Sequence, residues 1–302
     1  MILPNLIIPG AGKSGTSSLH RYLNQHPDIY MSQVKEPAYF FRDELYQSKA
    51  QWYSGLFEAG KDKKYRGESS TYYFKYQPAL QRMKNDLVRP KFIILIRHPV
   101  ERIISHYFWL KGKGLEFRPF RKAVELDMYQ VFRPGYHIKG HYKCYIQNSF
   151  YSKWIKAYFD VFGKENVLII STEKLKSEPL PTLNNCFQFL GLETMNDIKI
   201  TTHNESVHRA PFYADRLMLH LLFMENDHSL FFRLKSKLIP PFVKTTYWKV
   251  HTRVTQNRYL PQKPQISTED YKWLLSLLKD DISKLKILTA NSFDEWRDLK
   301  SL

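Results

Sequence analysis

The chain predicts an α/β fold with a mainly parallel central sheet flanked by helices. Three observations carry that reading. Short apolar runs recur at Leu6-Ile7-Ile8, at Phe92-Ile93-Ile94-Leu95-Ile96 and at Val167-Leu168-Ile169-Ile170. Segments with helical spacing alternate with them. The first run also passes through a glycine-rich turn directly into such a segment, as a strand–loop–helix unit does. With 302 residues, 43% of them hydrophobic, the chain can bury a full core. It is read as one domain spanning 1–302, with a helical or loop insertion at about 203–260.

The opening unit is Leu6-Ile7-Ile8-Pro9-Gly10-Ala11-Gly12-Lys13-Ser14-Gly15-Thr16-Ser17-Ser18-Leu19. A helix starting near Ser14 would turn free backbone N–H groups and the positive end of its dipole outward. Gly10, Gly12 and Gly15 would let that backbone approach a ligand closely, and Lys13 adds a point charge. Such a turn suits a phosphate-like anion; the plainer alternative is an ordinary glycine turn. The nucleotide-triphosphatase loop, Gly-x-x-x-x-Gly-Lys-Ser/Thr, is excluded because its first glycine would fall on Ile7.

Composition narrows the partners. A formal charge of +17 predicts an electropositive surface, and so an acidic cofactor, substrate, membrane surface or nucleic acid. Lys and Arg are scattered, with no basic block of the kind that binds nucleic acid. Cys144 and Cys186 are too few for a disulfide framework and read as reduced. No apolar run approaches membrane-spanning length. The expected location is cytoplasmic if Met1 is the natural start, and the Golgi lumen if an N-terminal anchor has been trimmed.

Further along, Val34-Lys35-Glu36-Pro37-Ala38-Tyr39-Phe40-Phe41 places Glu36 before a proline that favours extended backbone. It also sets that carboxylate beside an aromatic run. Desolvation there would make Glu36 a better base; a surface pair with Lys35 explains it equally well. The apolar run ending at Ile96 leads into Arg97-His98-Pro99-Val100-Glu101-Arg102, where Pro99 suits a first helical turn. Arg97 would stand at the carboxyl end of a parallel strand, where open α/β sheets bind ligands. Ser105 follows one or two turns into that helix. A helix with core spacing runs from Phe150 to Phe162 and ends at Gly163. Others cover Leu183 to Leu190 and Tyr271 to Leu285. Lys111, Lys113, Arg118, Arg121, Lys139 and Lys143 offer contacts for an anionic acceptor or simply a solvated basic surface.

The opening unit resembles the 5′-phosphosulfate loop of sulfotransferases that use 3′-phosphoadenosine 5′-phosphosulfate (PAPS). In them a Lys-Ser/Thr-Gly-Thr turn opens the first helix. The segment at 97–107 resembles their 3′-phosphate signature. Glu36 falls where heparan sulfate sulfotransferases and bacterial relatives carry the general base. Their usual His is replaced by Ala38. The Glu-Lys-Thr/Ser-Pro-x-Tyr-Phe segment of those families is matched at Glu68, Tyr73 and Phe74, with Ser69 for the Lys and Thr71 for the Pro.

The resemblance implies a P-loop-like phosphosulfate site and metal-free sulfuryl transfer from PAPS to a hydroxyl or amine, with a carbohydrate as acceptor. Glu36 would be the base, and Lys13 would stabilise the departing phosphate. Glu68 would be a second catalytic or acceptor-orienting carboxylate, with an ion pair to a nearby cation as the plainer role. Ser14, Gly15, Thr16 and Ser17 would cradle the 5′-phosphate, and Arg97 and Ser105 would hold the 3′-phosphate. Arg209 would add a contact from a polar loop at 203–211. The partner set is then a saccharide acceptor, with membrane-surface contact through 212–258 as a further option and no nucleic acid. Two other classes stand beside this one, a kinase-like phosphotransferase and a non-catalytic polyanion-binding module.

Overall fold

The computed structural model describes residues 1–112, 116–129, 143–200, 265–296 and 298, with isolated positions from 240 to 250. Five strands make one parallel sheet: β1 (Leu6–Ile8), β2 (Ile29–Met31), β3 (Tyr65–Ser69), β4 (Lys91–Ile96) and β5 (Val167–Ser171). Their order is β2-β3-β1-β4-β5. The helices are α1 (Thr16–Leu23), α2 (Asp43–Ser48), α3 (Ala50–Gly55), α4 (Gln77–Asp86), α5 (Pro99–Gly112), α6 (Phe120–Tyr129), α7 (Tyr151–Phe162), α8 (Thr172–Ser177), α9 (Pro179–Phe189) and α10 (Thr268–Thr289). The expected parallel α/β architecture is present.

Near-continuous apolar strands mark a sheet covered on both faces, and successive side chains take opposite faces. Leu6, Ile8, Ile93 and Leu95 join Leu19 and Leu23 of α1 and Leu183 and Phe187 of α9 in one buried cluster. Phe92, one residue out of phase, instead meets Tyr158 and Phe162 of α7 at ring-centroid distances of 5.2 and 4.3 Å. The spacing predicted for α7 is therefore core packing.

The chain divides into two compact units. The first comprises Met1–Arg102, Phe150–Glu205 and Leu275–Leu302, and contains the sheet. The second comprises Ile103–Ser149 and Ser206–Leu274. In the second, the buried Glu116 carboxylate accepts from the Tyr145 hydroxyl at 2.8 Å. Asp127 there accepts the amides of Ile146 and Gln147 at 2.7 and 3.1 Å. The insertion expected at 203–260 lies almost wholly outside the described residues.

The first helix begins at Thr16, two residues later than the spacing suggested. Lys13 and Gly15 explain the delay, since both are left-handed, with φ of 72° and 92°. Neither can continue a right-handed helix. Gly10 has a different task, close approach. A Cβ built on it would lie 2.7 Å from Cβ of Phe74, so only glycine lets the turn pass the ring.

Candidate active site

The strand order decides where a ligand can sit. The chain leaves β1 toward β2 and β3, and leaves β4 toward β5 on the other side. The adjacent carboxyl ends of β1 and β4 therefore form the topological switch point, where open parallel sheets bind ligands. The glycine turn leaves β1 there, and Arg97 follows the last residue of β4.

Hydrogen bonds fasten the two ends together. The Ala11 amide donates to the Leu95 carbonyl at 2.6 Å, and the Leu95 amide donates back to Gly10 at 2.9 Å. The Thr172 hydroxyl at the start of α8 reaches both the Ser14 carbonyl (2.6 Å) and the Ile96 carbonyl (2.9 Å). Thr172 had no signal in the sequence, because it enters from a strand and helix 158 residues away.

The turn has the features of an anion cradle. No side chain caps α1, and its first turn has no acidic residue, so early N–H groups and the dipole face outward. Ser14 Oγ is buried without a hydrogen-bond partner among the described residues, and a buried hydroxyl in that state favours an incoming acceptor. Thr16 is buried and Ser17 partly exposed. Space above Gly12 extends to Thr71, whose side chain lies 3.8 Å from a Cβ built there. These residues fit a phosphate-like group.

Arg97 is mostly buried. Its guanidinium donates to Glu101 at 3.1 Å, one helical turn on, and its carbonyl accepts from the Tyr151 hydroxyl at 2.9 Å. His98 is structural. Its amide donates to Glu173, its Nε2 meets Asp298 at 3.1 Å, and burial lowers its pKa. Ser105 is buried within α5 and belongs to the second unit. Arg209, the polar loop at 203–211 and the segment 212–258 lie outside the described residues, apart from a few isolated positions after 240.

Glu36 sits beside the cradle at the end of β3. Its amide donates to the Ser69 carbonyl at 3.0 Å. One carboxylate oxygen accepts from Thr71 Oγ1 and from Lys35 Nζ, each at 3.1 Å. Its side chain is one-third exposed, at 33%. The Lys35 pair weighed from the sequence is therefore present, and the same oxygen also takes the hydroxyl of Thr71, whose side chain faces Gly12. Lys13 and Glu36 (φ 58°) are both left-handed non-glycine residues, so Glu36 departs from the extended backbone expected before Pro37. That conformation costs on the order of 1–3 kcal/mol and concentrates at functional sites.

Glu68 is different. It has no exposed surface. Its carboxylate accepts from Ser70 Oγ (2.7 Å), Tyr73 OH (2.7 Å) and Tyr53 OH (2.9 Å). Among the described residues no cation pairs with it, and hydroxyls stand where the sequence had suggested an ion pair. Burial pushes its carboxyl up to about 7, against the pull of the three donors.

His20 ties α1 to this corner. Its Nε2 faces the Ser32 carbonyl at 3.1 Å and its Nδ1 faces Ser69 Oγ at 2.8 Å. A carbonyl only accepts, so the proton is assigned to Nε2 and Ser69 donates to Nδ1. Burial, helped by Lys35, lowers its pKa to about 4. Stability from the neutral ring is complete above the ordinary value of 6.5 and is lost as pH falls from there toward 4. In histidine NMR spectra of the folded protein, this ring should remain neutral at pH 5.5. A midpoint near 6.5 would contradict the burial argument.

The basic residues proposed for an acceptor are largely engaged internally. Arg118 and Lys143 face Glu116 at 3.4 and 3.9 Å, and Arg121 pairs with Asp270 at 2.9 Å. Lys111 lies over the Tyr107 ring at 5.4 Å. Lys113 and Lys139 lie outside the described residues.

Comparison with known proteins bears on this site. The model of the family described as "Sulfotransferase domain" matches residues 3–231. Heparan sulfate glucosamine 3-O-sulfotransferase 6 of Mus musculus is 28% identical over 190 residues, covering 63% of this chain and 53% of that protein. The membrane-associated sulfotransferase kil1 of Dictyostelium discoideum is 36% identical over 118 residues, covering 37% of this chain and 25% of that one. The chain spans about half the length of the mammalian relatives it matches. In fold, it resembles a crystal structure of a sulfotransferase from Alicyclobacillus acidocaldarius, with a TM-score of 0.69 and 24% identity over 98% of this chain and 100% of that one. Among the described residues no helix is long and apolar enough to cross a membrane, and no cluster of side chains could hold a metal ion.

Proposed function

Because the chain belongs to the sulfotransferase domain family, we propose that it transfers a sulfuryl group from PAPS to a hydroxyl or amine of a carbohydrate. The observation that carries this reading is the placement of the Lys13 turn and Arg97 on the two sides of one switch point. The acceptor class rests on the likeness to the heparan sulfate enzymes.

When bound, PAPS supplies an activated sulfuryl group on a 3′,5′-ADP leaving group. The chain's part is binding, orientation and proton removal. Ser14, Gly15, Thr16 and Ser17 hold the 5′-phosphate with backbone N–H groups and hydroxyls at the start of α1. Lys13 Nζ opposes the charge that grows on the departing oxygen. The Arg97 fork, already steadied by Glu101, suits the 3′-phosphate. Ser105 and Arg209 join the cofactor set on the resemblance alone. Glu36 is open to solvent on the cradle side of β3, and its free oxygen takes the acceptor proton.

Calorimetry separates this reading from its alternatives. The protein should bind 3′,5′-ADP at least about tenfold more tightly than 5′-AMP or ATP, since one charge-assisted phosphate contact is worth about 1.5–3 kcal/mol. Preference for ATP with magnesium would favour a phosphotransferase. Indifference among the three would favour a polyanion-binding module.

A further inference from the structure

The segment bearing Glu36 needs an explanation, because Glu36 and Ala38 are both left-handed, with φ of 58° and 55°. Neither residue is a glycine, so something must hold them there. Pro37 has no amide, and the amides on either side are each tied down. Glu36 donates to the Ser69 carbonyl at 3.0 Å, Ala38 to Ser70 Oγ at 3.0 Å and Phe40 to Tyr73 OH at 3.2 Å. Two of these three acceptors are hydroxyls, and their protons can turn, freely about the C–O bond in Ser70 and between two positions in the ring plane in Tyr73.

Glu68 removes that freedom. Ser70 and Tyr73 each have one proton, and both protons point at its carboxylate. Their lone pairs are left toward Ala38 and Phe40. Tyr53 completes the carboxylate and stacks on Tyr39 at 4.1 Å, an interplanar angle of 7°. The buried network is thus satisfied at every member, the condition under which it fixes a single arrangement.

We infer that Glu68 is a positioning residue, whose carboxylate aims the Ser70 and Tyr73 hydroxyls so that they clamp the Ala38 and Phe40 amides and hold the turn that presents Glu36. This role rests on the reading of Glu36 as the base. It assigns Glu68 no contact with acceptor or cofactor, in keeping with its complete burial.

Hydrogen exchange and turnover test it together. Glu68→Ala and Ser70→Ala should each speed exchange of the amides at 36–41 by about tenfold, the scale of one or two lost hydrogen bonds. The turn at 10–17 should be unchanged. Both variants should lose about tenfold or more in turnover with unaltered affinity for 3′,5′-ADP. Glu68→Gln presents an NH2 donor either to Ser70 or to the two tyrosines, so at least one hydroxyl loses the acceptor that aims it; exchange at 36–41 should quicken several-fold and turnover should fall with it.

A Glu68→Gln protein as inactive as Glu36→Gln, with exchange at 36–41 unchanged, would show that Glu68 acts through its proton rather than by holding the turn, and would overturn the inference. Unchanged exchange at 36–41 in Ser70→Ala would overturn it as well, even if Glu68→Ala fails to fold. If the wild-type protein transfers no sulfuryl group, the functional reading fails. The exchange measurements then still decide whether Glu68 holds the turn.

Discussion

Replacing Lys13 with alanine should lower sulfuryl-transfer turnover by about 10²–10³-fold, the usual result of deleting one donor aimed at developing charge. The loss should fall on kcat more than on nucleotide affinity. Ser14 to Ser17 and the α1 N-terminus remain to hold the ground-state phosphate, whereas the lysine acts where charge increases during transfer. Alanine inherits the left-handed backbone at position 13 (φ 72°), so the turn itself is little altered. Single-turnover kinetics alongside 3′,5′-ADP calorimetry measure the split. Turnover within threefold of wild type would remove Lys13 from the mechanism.

Glu36→Gln should be comparably damaging, by about 10²–10⁴-fold, the range for a missing general base. The amide keeps the length of the side chain and an oxygen for Thr71. It gives up the partly exposed pair with Lys35, a kind of contact worth little to stability. The variant should therefore fold and bind 3′,5′-ADP as the wild type does. Full activity would move proton removal elsewhere, and Glu68 is poorly placed to inherit it, being sealed from solvent behind three hydroxyls.

The sequence made some of this legible and not the rest, for physical reasons. β1, β4 and β5 are continuous apolar runs because both faces of the sheet are covered, and such runs stand out. β2 has three residues, too few to show a period, and α2 and α3 have six each. Pro99 opens α5 and Gly163 closes α7, as their backbone preferences require. The candidate cradle could be singled out because its chemistry is local, with glycines, a lysine and hydroxyls in eight residues. The surroundings of Glu68 were not, because Tyr53 arrives from 15 residues upstream. The hydroxyls of Ser70 and Tyr73, on the other hand, stood beside it in the sequence. Thr172 shows the same limit, since its tie to Ser14 exists only once β5 lies next to β4.

The stitching of the glycine turn to the end of β4 bears on how fast a ligand is captured. A turn already pinned by Ala11, Leu95 and Thr172 should need no folding step when an anion arrives, so encounter rather than rearrangement of this turn should limit association. With a net charge of +17, that encounter is steered, and the on-rate for a multiply charged nucleotide should fall steeply with added salt. The dissociation rate, set by contacts inside the cradle, should change much less.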